Sequence, residues 1–320
     1  MLGFEDESAN ERVLRASSVA LSLQTGTIRL RASSASRDNA LIMQKVTVRV
    51  PASTSNLGPG FDCLGMALRI YNEVTVQRED EQAVTPMLRA AADIFFTRAA
   101  SRPFTFSCDI RGDVPVSRGL GSSVTVRLGL MHGLNVMAGR PLKRAAIYEL
   151  CAELEGHPDN AAPAEFGGFN VVRSGSRQRF FVSGALKFVL LIPDFEVSTA
   201  EARALLPDKI SRRGAVESCG NAAAITAAFA SGQYRNLTGA FGDRLHQPFR
   251  KALVPFFDDV IGAAEEAGAL GGFLSGSGST IAAVTLVRPE EVGAAMLEAA
   301  TNDARVFVTT ADNRGTRLMA

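Results

Sequence analysis

Apolar residues recur along this chain with two different periods, and the period in each segment predicts the element that it forms. Val46 and Val48 alternate with polar residues, which is the pattern of a half-buried strand. Val124, Leu128 and Met131 recur at i, i+4 and i+7, which predicts a helix. Strands are predicted over residues 46–50, 72–77, 104–110, 167–172, 186–192 and 281–287, and near Gly272. Helices are predicted over residues 87–100, 122–138, 144–155, 199–206, 216–230 and 256–267.

These strands and helices mix without the regular repeat of a doubly wound sheet, which predicts an α+β fold. At 320 residues the chain is long enough for two domains, because single hydrophobic cores stop growing near this size. We place the join near residues 183–187. This gives an N-terminal domain over residues 43–185 and a C-terminal domain over residues 186–320.

The first 42 residues differ in composition from the rest of the chain. They carry Glu5, Asp6 and Glu7 and then Ser and Arg residues without helical or strand periodicity. A disordered extension, a targeting peptide and a start codon assigned too early all compete as explanations. The early acidic residues argue against a transit peptide, which is poor in acid. We therefore expect residues 1–42 to be a disordered extension or the product of a mis-assigned start, with the folded protein beginning at Met43.

Composition narrows the class of protein. The chain is 46% hydrophobic and 21% charged, which is ordinary for a soluble globular protein. Its 34 basic and 33 acidic residues balance to a net charge of +1, so no dedicated nucleic-acid surface is expected. No apolar run reaches the length of a membrane span. The 4 cysteines are scattered, which gives neither a zinc site nor a disulfide framework and favours the cytoplasm.

The strongest chemical signal is the order of three polar segments: residues 119–123, 155–160 and 275–280. Two glycine-serine turns on either side of an acidic turn suggest nucleotide-dependent phosphoryl transfer. The first turn, Gly-Leu-Gly-Ser-Ser, opens a predicted helix, whose free N–H groups suit a phosphate. A plain glycine turn with a serine N-cap explains this segment alone equally well. There is no Walker-type loop or nucleophile elbow, and Val124 stands where a dinucleotide fingerprint needs its last glycine.

The acidic turn, Glu-Gly-His-Pro-Asp-Asn, offers several polar groups in a short stretch. Glu155 is a candidate Mg²⁺ ligand, and His157 and Asp159 supply a donor and an acceptor. On its own the segment is equally consistent with a helix-terminating turn that carries solvated charges.

Together with Asn-Leu-Gly-Pro-Gly-Phe-Asp at residues 56–62, the three segments resemble the GHMP kinase superfamily and, within it, the homoserine kinases. Residues 199–203 and 243–250 are similar to segments that supply arginines to the substrate pocket in that family. The resemblance extends from about residue 46 to residue 287. It implies an N-terminal ribosomal-protein-S5-domain-2-like α/β domain and a C-terminal ferredoxin-like α+β domain. It also implies transfer of the ATP γ-phosphate to L-homoserine, which gives O-phospho-L-homoserine for threonine biosynthesis.

The resemblance assigns a role to each matching residue. The expected ATP-binding residues are Pro115, Arg118, Gly119, Leu120, Gly121, Ser122, Ser123, Gly276 and Gly278. The expected substrate-binding residues are Asn56, Asp62, His157, Asp159, Asn160, Arg203 and Arg250. Ser123 and Glu155 would ligate Mg²⁺, with Glu149 as the alternative carboxylate. Ser123, Glu155 and Asp159 form the expected catalytic set, in which Asp159 binds substrate and no dedicated base is required. A homodimer is expected, with no nucleic-acid or membrane partner.

The chain departs from the family pattern at several positions. Val124, Thr125 and Val126, followed by Arg127, stand where small alanines are usual, and Ser279 stands where proline is usual. Residues 85–92 lack the asparagine expected beside the adenine. Two alternatives therefore stay open. One is a kinase for another small alcohol such as mevalonate, and the other is a binding or regulatory protein with a weakened phosphate loop.

Overall fold

The computed structural model describes residues 44–79 and 84–319, which form two antiparallel sheets with helices packed on them. The expected extension over residues 1–42 and the expected start at Met43 lie outside the described residues. The strands are β1 (Lys45–Asn56), β2 (Gly60–Arg78), β3 (Phe106–Gly112), β4 (Phe169–Arg173), β5 (Ser176–Phe180), β6 (Lys187–Pro193), β7 (Gly271–Leu274), β8 (Ile281–Thr285), β9 (Ala304–Thr309) and β10 (Arg317–Leu318). The helices are α1 (Pro86–Ala99), α2 (Ser122–Met137), α3 (Arg144–Glu155), α4 (Ala161–Phe166), α5 (Thr199–Ala204), α6 (Arg212–Ser231), α7 (Gln247–Arg250), α8 (Phe257–Glu266) and α9 (Pro289–Ala299).

The long strand β2 organises the first sheet. Strand β1 pairs with it along one edge, while β3 and β4 share the other edge. Only residues 72–77 of β2 carry the alternation that predicts a strand. Between Leu64 and Leu68 the strand is buried on both faces, so the sequence there does not alternate.

Helix α2 lies close against β2, and two glycines allow this approach. A Cβ on Gly129 would lie 2.4 Å from the Val74 side chain, and a Cβ on Gly133 would lie 2.5 Å from that of Val76. The two glycines are four residues apart and therefore face the sheet together. This packing fixes the position of the N-terminus of α2, where the glycine-serine turn lies.

The second sheet has the strand order β7-β8-β6-β9 within the described residues. One face packs on α8 and α9, where Val189 and Leu191 of β6 join a buried cluster with Val260 and Val292. The other face of β6 packs into a second buried cluster, which includes residues of β2 and α6. The two sheets thus share a core.

The predicted α+β content is confirmed, and helix α3 has the predicted bounds. The division at residues 185/186 stays a proposal. The last strand, β10, pairs with β1 through Val48 and Leu318, so the end of the described chain returns to the first sheet. Within the described residues, no helix is both long and apolar enough to cross a bilayer.

Candidate active site

The glycine-serine turn leads directly into helix α2. Gly119 and Gly121 adopt φ angles of 77° and 69°, which residues other than glycine rarely adopt. Gly121 occupies the N-cap position, so Ser122 and Ser123 are the first residues of the helix. The free N–H groups and the positive end of the helix dipole therefore face the turn, as an anion site requires.

The late glycine-serine turn packs backbone to backbone against the first one. A Cβ on Gly119 would lie 2.0 Å from the Ser275 carbonyl oxygen, and a Cβ on Gly278 would lie 2.0 Å from the Gly119 nitrogen. The Ser275 hydroxyl donates to the Gly119 carbonyl at 2.6 Å. Glycine is required at both positions because any side chain would separate the two turns.

Glu155 ends helix α3 beside the first turn. The Ser123 hydroxyl donates to Glu155 Oε2 at 3.1 Å, and Arg127 Nη1 contacts the other carboxylate oxygen. The alternative carboxylate, Glu149, is 62% exposed at its side chain and faces Arg98 at 3.9 Å. The structure therefore places Glu155, and not Glu149, at the phosphate turn. A hydroxyl and a carboxylate are the oxygen donors that Mg²⁺ prefers, so this pair fits the ion.

A cavity of about 660 Å³ extends from the two turns. Its polar lining includes Ser123, Glu155 and the late turn, and its apolar lining includes Met87, Ile110, Val114 and Val116. A pocket of this size, with both a phosphate-binding turn and apolar side chains in its lining, suits a nucleotide.

The acidic turn joins this cavity to a second group of charged side chains. Asn160 lines the cavity, where its side chain accepts from Ser53 Oγ at 2.9 Å and donates to Ser55 Oγ at 2.9 Å. The serines belong to β1, so the acidic turn is held against the first sheet. His157 also lines the cavity and contacts Asp159 beyond it.

Asp62, His157 and Asp159 converge on one point. One ligand atom from each lies within 4.8 Å of the others, and His157 Nδ1 lies 2.8 Å from Asp159 Oδ1. The hydrogen bond to Asp159 raises the pKa of His157, although burial opposes the shift. Two carboxylates in a shielded corner favour a cationic group, either an ammonium or a metal ion.

Two arginines lie opposite these carboxylates. Arg203 makes a two-point ion pair with Asp62, at 2.7 Å and 3.2 Å. Arg250 is 3% exposed and donates to the carbonyls of Ala202 and Gly276. Burial, together with repulsion from Arg203, lowers the pKa of Arg250 to about 10, so it stays charged at neutral pH.

Phe61 and His246 complete this corner and were absent from the predicted site. The Phe61 ring lies 5.4 Å from the Arg203 guanidinium, 5.1 Å from that of Arg250 and 5.3 Å from the His246 ring. Its position directly before Asp62 in the matched motif was the available signal. His246 Nε2 donates to the Gly58 carbonyl at 2.8 Å, which leaves Nδ1 to accept from Arg250. Burial lowers the pKa of His246 to about 4, so this neutral tautomer prevails.

Four predicted site residues have side chains engaged elsewhere. The Arg118 guanidinium donates to the carbonyls of Pro193, Val116 and Asp194, outside the main cavity. Pro115 lines the same outer surface as Arg118, and Leu120 is a buried core residue. Asn56 donates to the Gly276 carbonyl and accepts from the Asp62 N–H, so it holds the late turn and Asp62 in place.

The departures from the family pattern have local explanations. Val124 is 1% exposed and packs in the core below the turn. Thr125 accepts from Asn72 Nδ2 at 2.8 Å, which ties the start of α2 to strand β2. Ser279 is fully buried, and its hydroxyl donates to the Phe195 carbonyl at 2.8 Å.

Comparisons with known proteins identify the family of this chain. Residues 86–168 match the family "GHMP kinases N terminal domain", and residues 225–302 match "GHMP kinases C terminal". A homoserine kinase of Caldicellulosiruptor saccharolyticus is 37% identical over 257 residues, covering 75% of this chain and 83% of that protein. The crystal structure of homoserine kinase from Cytophaga hutchinsonii has a TM-score of 0.79 at 26% identity, covering 87% of this chain and 98% of that one. Mevalonate kinase of Methanococcus jannaschii has a TM-score of 0.62 at 16% identity, covering 86% and 98% of the two chains, which is a likeness of fold alone.

These matches confirm the predicted two-domain kinase fold. The relatives are similar over most of their own length, and the family matches lie in both halves of the chain. The chain belongs to the homoserine kinases of the GHMP kinase superfamily.

Proposed function

We infer that this chain is an ATP-dependent homoserine kinase that phosphorylates the side-chain hydroxyl of L-homoserine to give O-phospho-L-homoserine and ADP. The observation that carries the inference is that two groups of residues lie side by side. One is the charged corner of Asp62, Asp159, Arg203 and Arg250, and the other is the pair of glycine-serine turns at residues 119–123 and 275–280, here called the phosphate turns. Asp62, Asp159, Arg203 and Arg250 offer both charges that an amino acid needs. His157 and Asn160 connect that corner to the nucleotide-sized cavity.

The charged corner fits a zwitterion with a short side chain. Arg203 and Arg250 would hold the carboxylate, because a guanidinium offers paired donors to it. Asp62 and Asp159 would hold the ammonium group. Binding of the substrate would break the ion pair between Asp62 and Arg203. Asp62 would then pair with the ammonium group, and Arg203 would pair with the carboxylate.

The phosphate turns would receive the triphosphate of ATP. The N–H groups at the start of α2 would bind phosphate oxygens, and the late turn would keep Gly276 and Gly278 against them. We propose that Ser123 and Glu155 hold Mg²⁺, which when bound neutralises charge on the phosphates and on the transferring group. The substrate hydroxyl would pass its proton towards the γ-phosphate, because Asp159 would be occupied by the ammonium group as well as by His157 and Asn160.

Mevalonate is the competing substrate in this superfamily. It carries a carboxylate and a hydroxyl but no ammonium group. Bound here, its carboxylate would draw Arg203 away from Asp62 and offer no ammonium group in return, and an unpaired charge in a partly buried site is costly. The corner therefore favours an amino acid.

The test is turnover by the purified full chain with ATP and Mg²⁺, with L-homoserine and mevalonate compared at equal concentrations. Homoserine-dependent ADP release, with the phosphorylated product identified by mass, is the expected result. Faster turnover of mevalonate would overturn the substrate assignment. Calorimetric binding of homoserine without any turnover would instead support the regulatory alternative.

A homodimer is proposed on the family resemblance alone, and light scattering on the same sample tests it.

A further inference from the structure

Arg127 is a feature of the site that neither the phosphate turn nor the charged corner explains. It lies one helical turn after Ser123 on α2, so the two side chains share a face of the helix. Both reach Glu155, with Ser123 on Oε2 and Arg127 on Oε1. The carboxylate is thus held by one partner on each oxygen.

The same guanidinium also contacts the end of helix α3. Arg127 Nη1 donates to the Leu154 carbonyl at 3.1 Å, immediately before Glu155. A cation at a helix C-terminus interacts favourably with its free carbonyls and dipole. Arg127 therefore joins the start of α2 to the end of α3 at the point where Glu155 leaves the helix.

The surroundings make this contact stronger than a surface ion pair. The side chains of Arg127 and Glu155 are 18% and 12% exposed. Arg127 Nη1 contacts both Glu155 and the Leu154 carbonyl, while Nε is buried with no hydrogen-bond partner among residues 44–79 and 84–319. A shielded pair of this kind restricts the carboxylate, and it also compensates its charge before any ligand binds.

We propose that Arg127 is a positioning residue for the divalent cation: it holds Glu155 so that Oε2 and the Ser123 hydroxyl face the phosphate turn together. The inference rests on the proposed function, because it takes Ser123 and Glu155 as the cation's protein ligands. Partners that orient a metal-binding side chain in this way typically change metal affinity about 10–100-fold when removed. A competing explanation is that Arg127 only clamps α2 to α3.

The two explanations differ in how Mg²⁺ affects nucleotide binding. If Arg127 orients Glu155, its loss weakens binding of ATP with Mg²⁺ far more than binding of ATP in EDTA. If it only clamps the helices, both forms of ATP are affected equally. The ratio of the two dissociation constants therefore separates the two roles.

The experiment uses the full chain as wild type, Arg127→Met and Arg127→Lys, with ATP titrated calorimetrically in Mg²⁺ and in EDTA. The advantage of Mg²⁺ is expected to fall about tenfold or more in Arg127→Met. Arg127→Lys should recover part of it, since it keeps the charge without the planar fork. Arg98→Met is the matched control, because Arg98 is a half-exposed arginine paired with Glu149 and Glu153 away from the turn.

Thermal unfolding without metal gives a second readout. Arg127→Met should lower the Tm, because it leaves the Glu155 charge without its cationic partner. Adding Glu155→Gln should restore part of the loss, because the uncompensated charge is then gone. Variants too unstable to titrate at 25 °C would be titrated at lower temperature beside wild type, so that the comparison still holds.

The outcomes separate this inference from the proposed function. A lower Tm in Arg127→Met with the Mg²⁺ advantage within about twofold of wild type would overturn the positioning role and leave a clamp. A wild type that binds ATP equally well with and without Mg²⁺ would overturn it as well. A wild type with no homoserine turnover would refute the proposed function, while loss of the Mg²⁺ advantage in Arg127→Met would still support the inference.

Discussion

Arg203 and Asp62 face each other through two parallel contacts, with Nη2 at 2.7 Å from Oδ1 and Nη1 at 3.2 Å from Oδ2. Each group would bind the opposite end of an amino-acid zwitterion. In the free protein they neutralise each other, so neither charge is left uncompensated in the half-buried pocket. The pair thus keeps both partners in place for a substrate that separates them.

Asp62→Asn is expected to raise the KM for homoserine about tenfold or more, because it removes a charged contact worth about 1.5–3 kcal/mol. The kcat should change much less, since this contact is the same before and during phosphate transfer. Initial rates over a range of homoserine concentrations give both values. Glu217→Gln is the control, because it breaks a comparable 3.1 Å pair with Arg244 on the surface. A KM within about twofold of wild type would place the ammonium group elsewhere.

Arg250 provides a second test of the charged corner. It is buried, and its guanidinium donates to two carbonyls while it faces Phe61. Arg250→Ala should raise the KM for homoserine about tenfold or more through loss of a charged hydrogen bond. Arg250→Lys should lie between wild type and alanine, because an ammonium group cannot reproduce both donors.

The Arg250 variants also need a check on folding, since the side chain is buried. The Kd for ATP, measured by calorimetry on the same samples, should stay close to wild type if the damage is confined to the amino-acid pocket. Unchanged homoserine affinity in Arg250→Ala would show that the carboxylate binds elsewhere.

Local patterns predicted much of the fold. Helix α3 has a clear apolar period and ends at Glu155, directly before Gly156, which adopts a φ of 80°. Strand β5 was missed because Ser176–Phe180 is exposed and has no apolar alternation, so its conformation comes from pairing with β4. The first half of β2 was missed because burial on both faces removes the alternation.

The site was predictable where a backbone requirement or a motif marks it, and less so where side chains from distant segments meet. Gly119 and Gly278 could be predicted from the sequence because only glycine allows the two glycine-serine turns to approach so closely. The pairing of Arg127 with Glu155 depends on how α2 and α3 pack, which no local pattern encodes. The reason for Ser279 is also tertiary, because its hydroxyl meets the carbonyl of Phe195 across the fold.

His246 gives the protein a defined pH dependence of stability. Burial lowers its folded pKa to about 4, while an unfolded histidine titrates near its ordinary value of about 6.5. Below about pH 6.5 this histidine is protonated in the unfolded chain but stays neutral in the folded chain until the pH nears 4. The stability due to His246 is therefore lost as the pH falls towards 4. His246→Gln should flatten the dependence of the unfolding free energy on pH in this window, as measured by denaturant titration.

His157 is the matched comparison for that experiment. Its folded pKa is raised by Asp159, so its contribution is fully present below about pH 6.5 and is lost as the pH rises through the folded value. His157→Gln should therefore leave the acid-side slope unchanged. If His246→Gln keeps the wild-type slope between about pH 4 and 6.5, another group causes the acid sensitivity.

Val124 separates the phosphate turn from the core beneath it. The valine is 1% exposed and belongs to the apolar cluster under α2, although it also borders the nucleotide cavity. Val124→Ala removes two buried methyl groups, so we expect a loss of about 1–3 kcal/mol in the free energy of unfolding.

The KM for ATP and the kcat of Val124→Ala should be unchanged or improved, because the N–H groups of the turn that would bind phosphate stay in place. Denaturant titration and initial rates on the same preparation test both parts, with Val48→Ala, a buried valine of the same apolar cluster that does not line the cavity, as the control for core loss. A large fall in kcat for Val124→Ala alone would mean that the valine shapes the phosphate site directly.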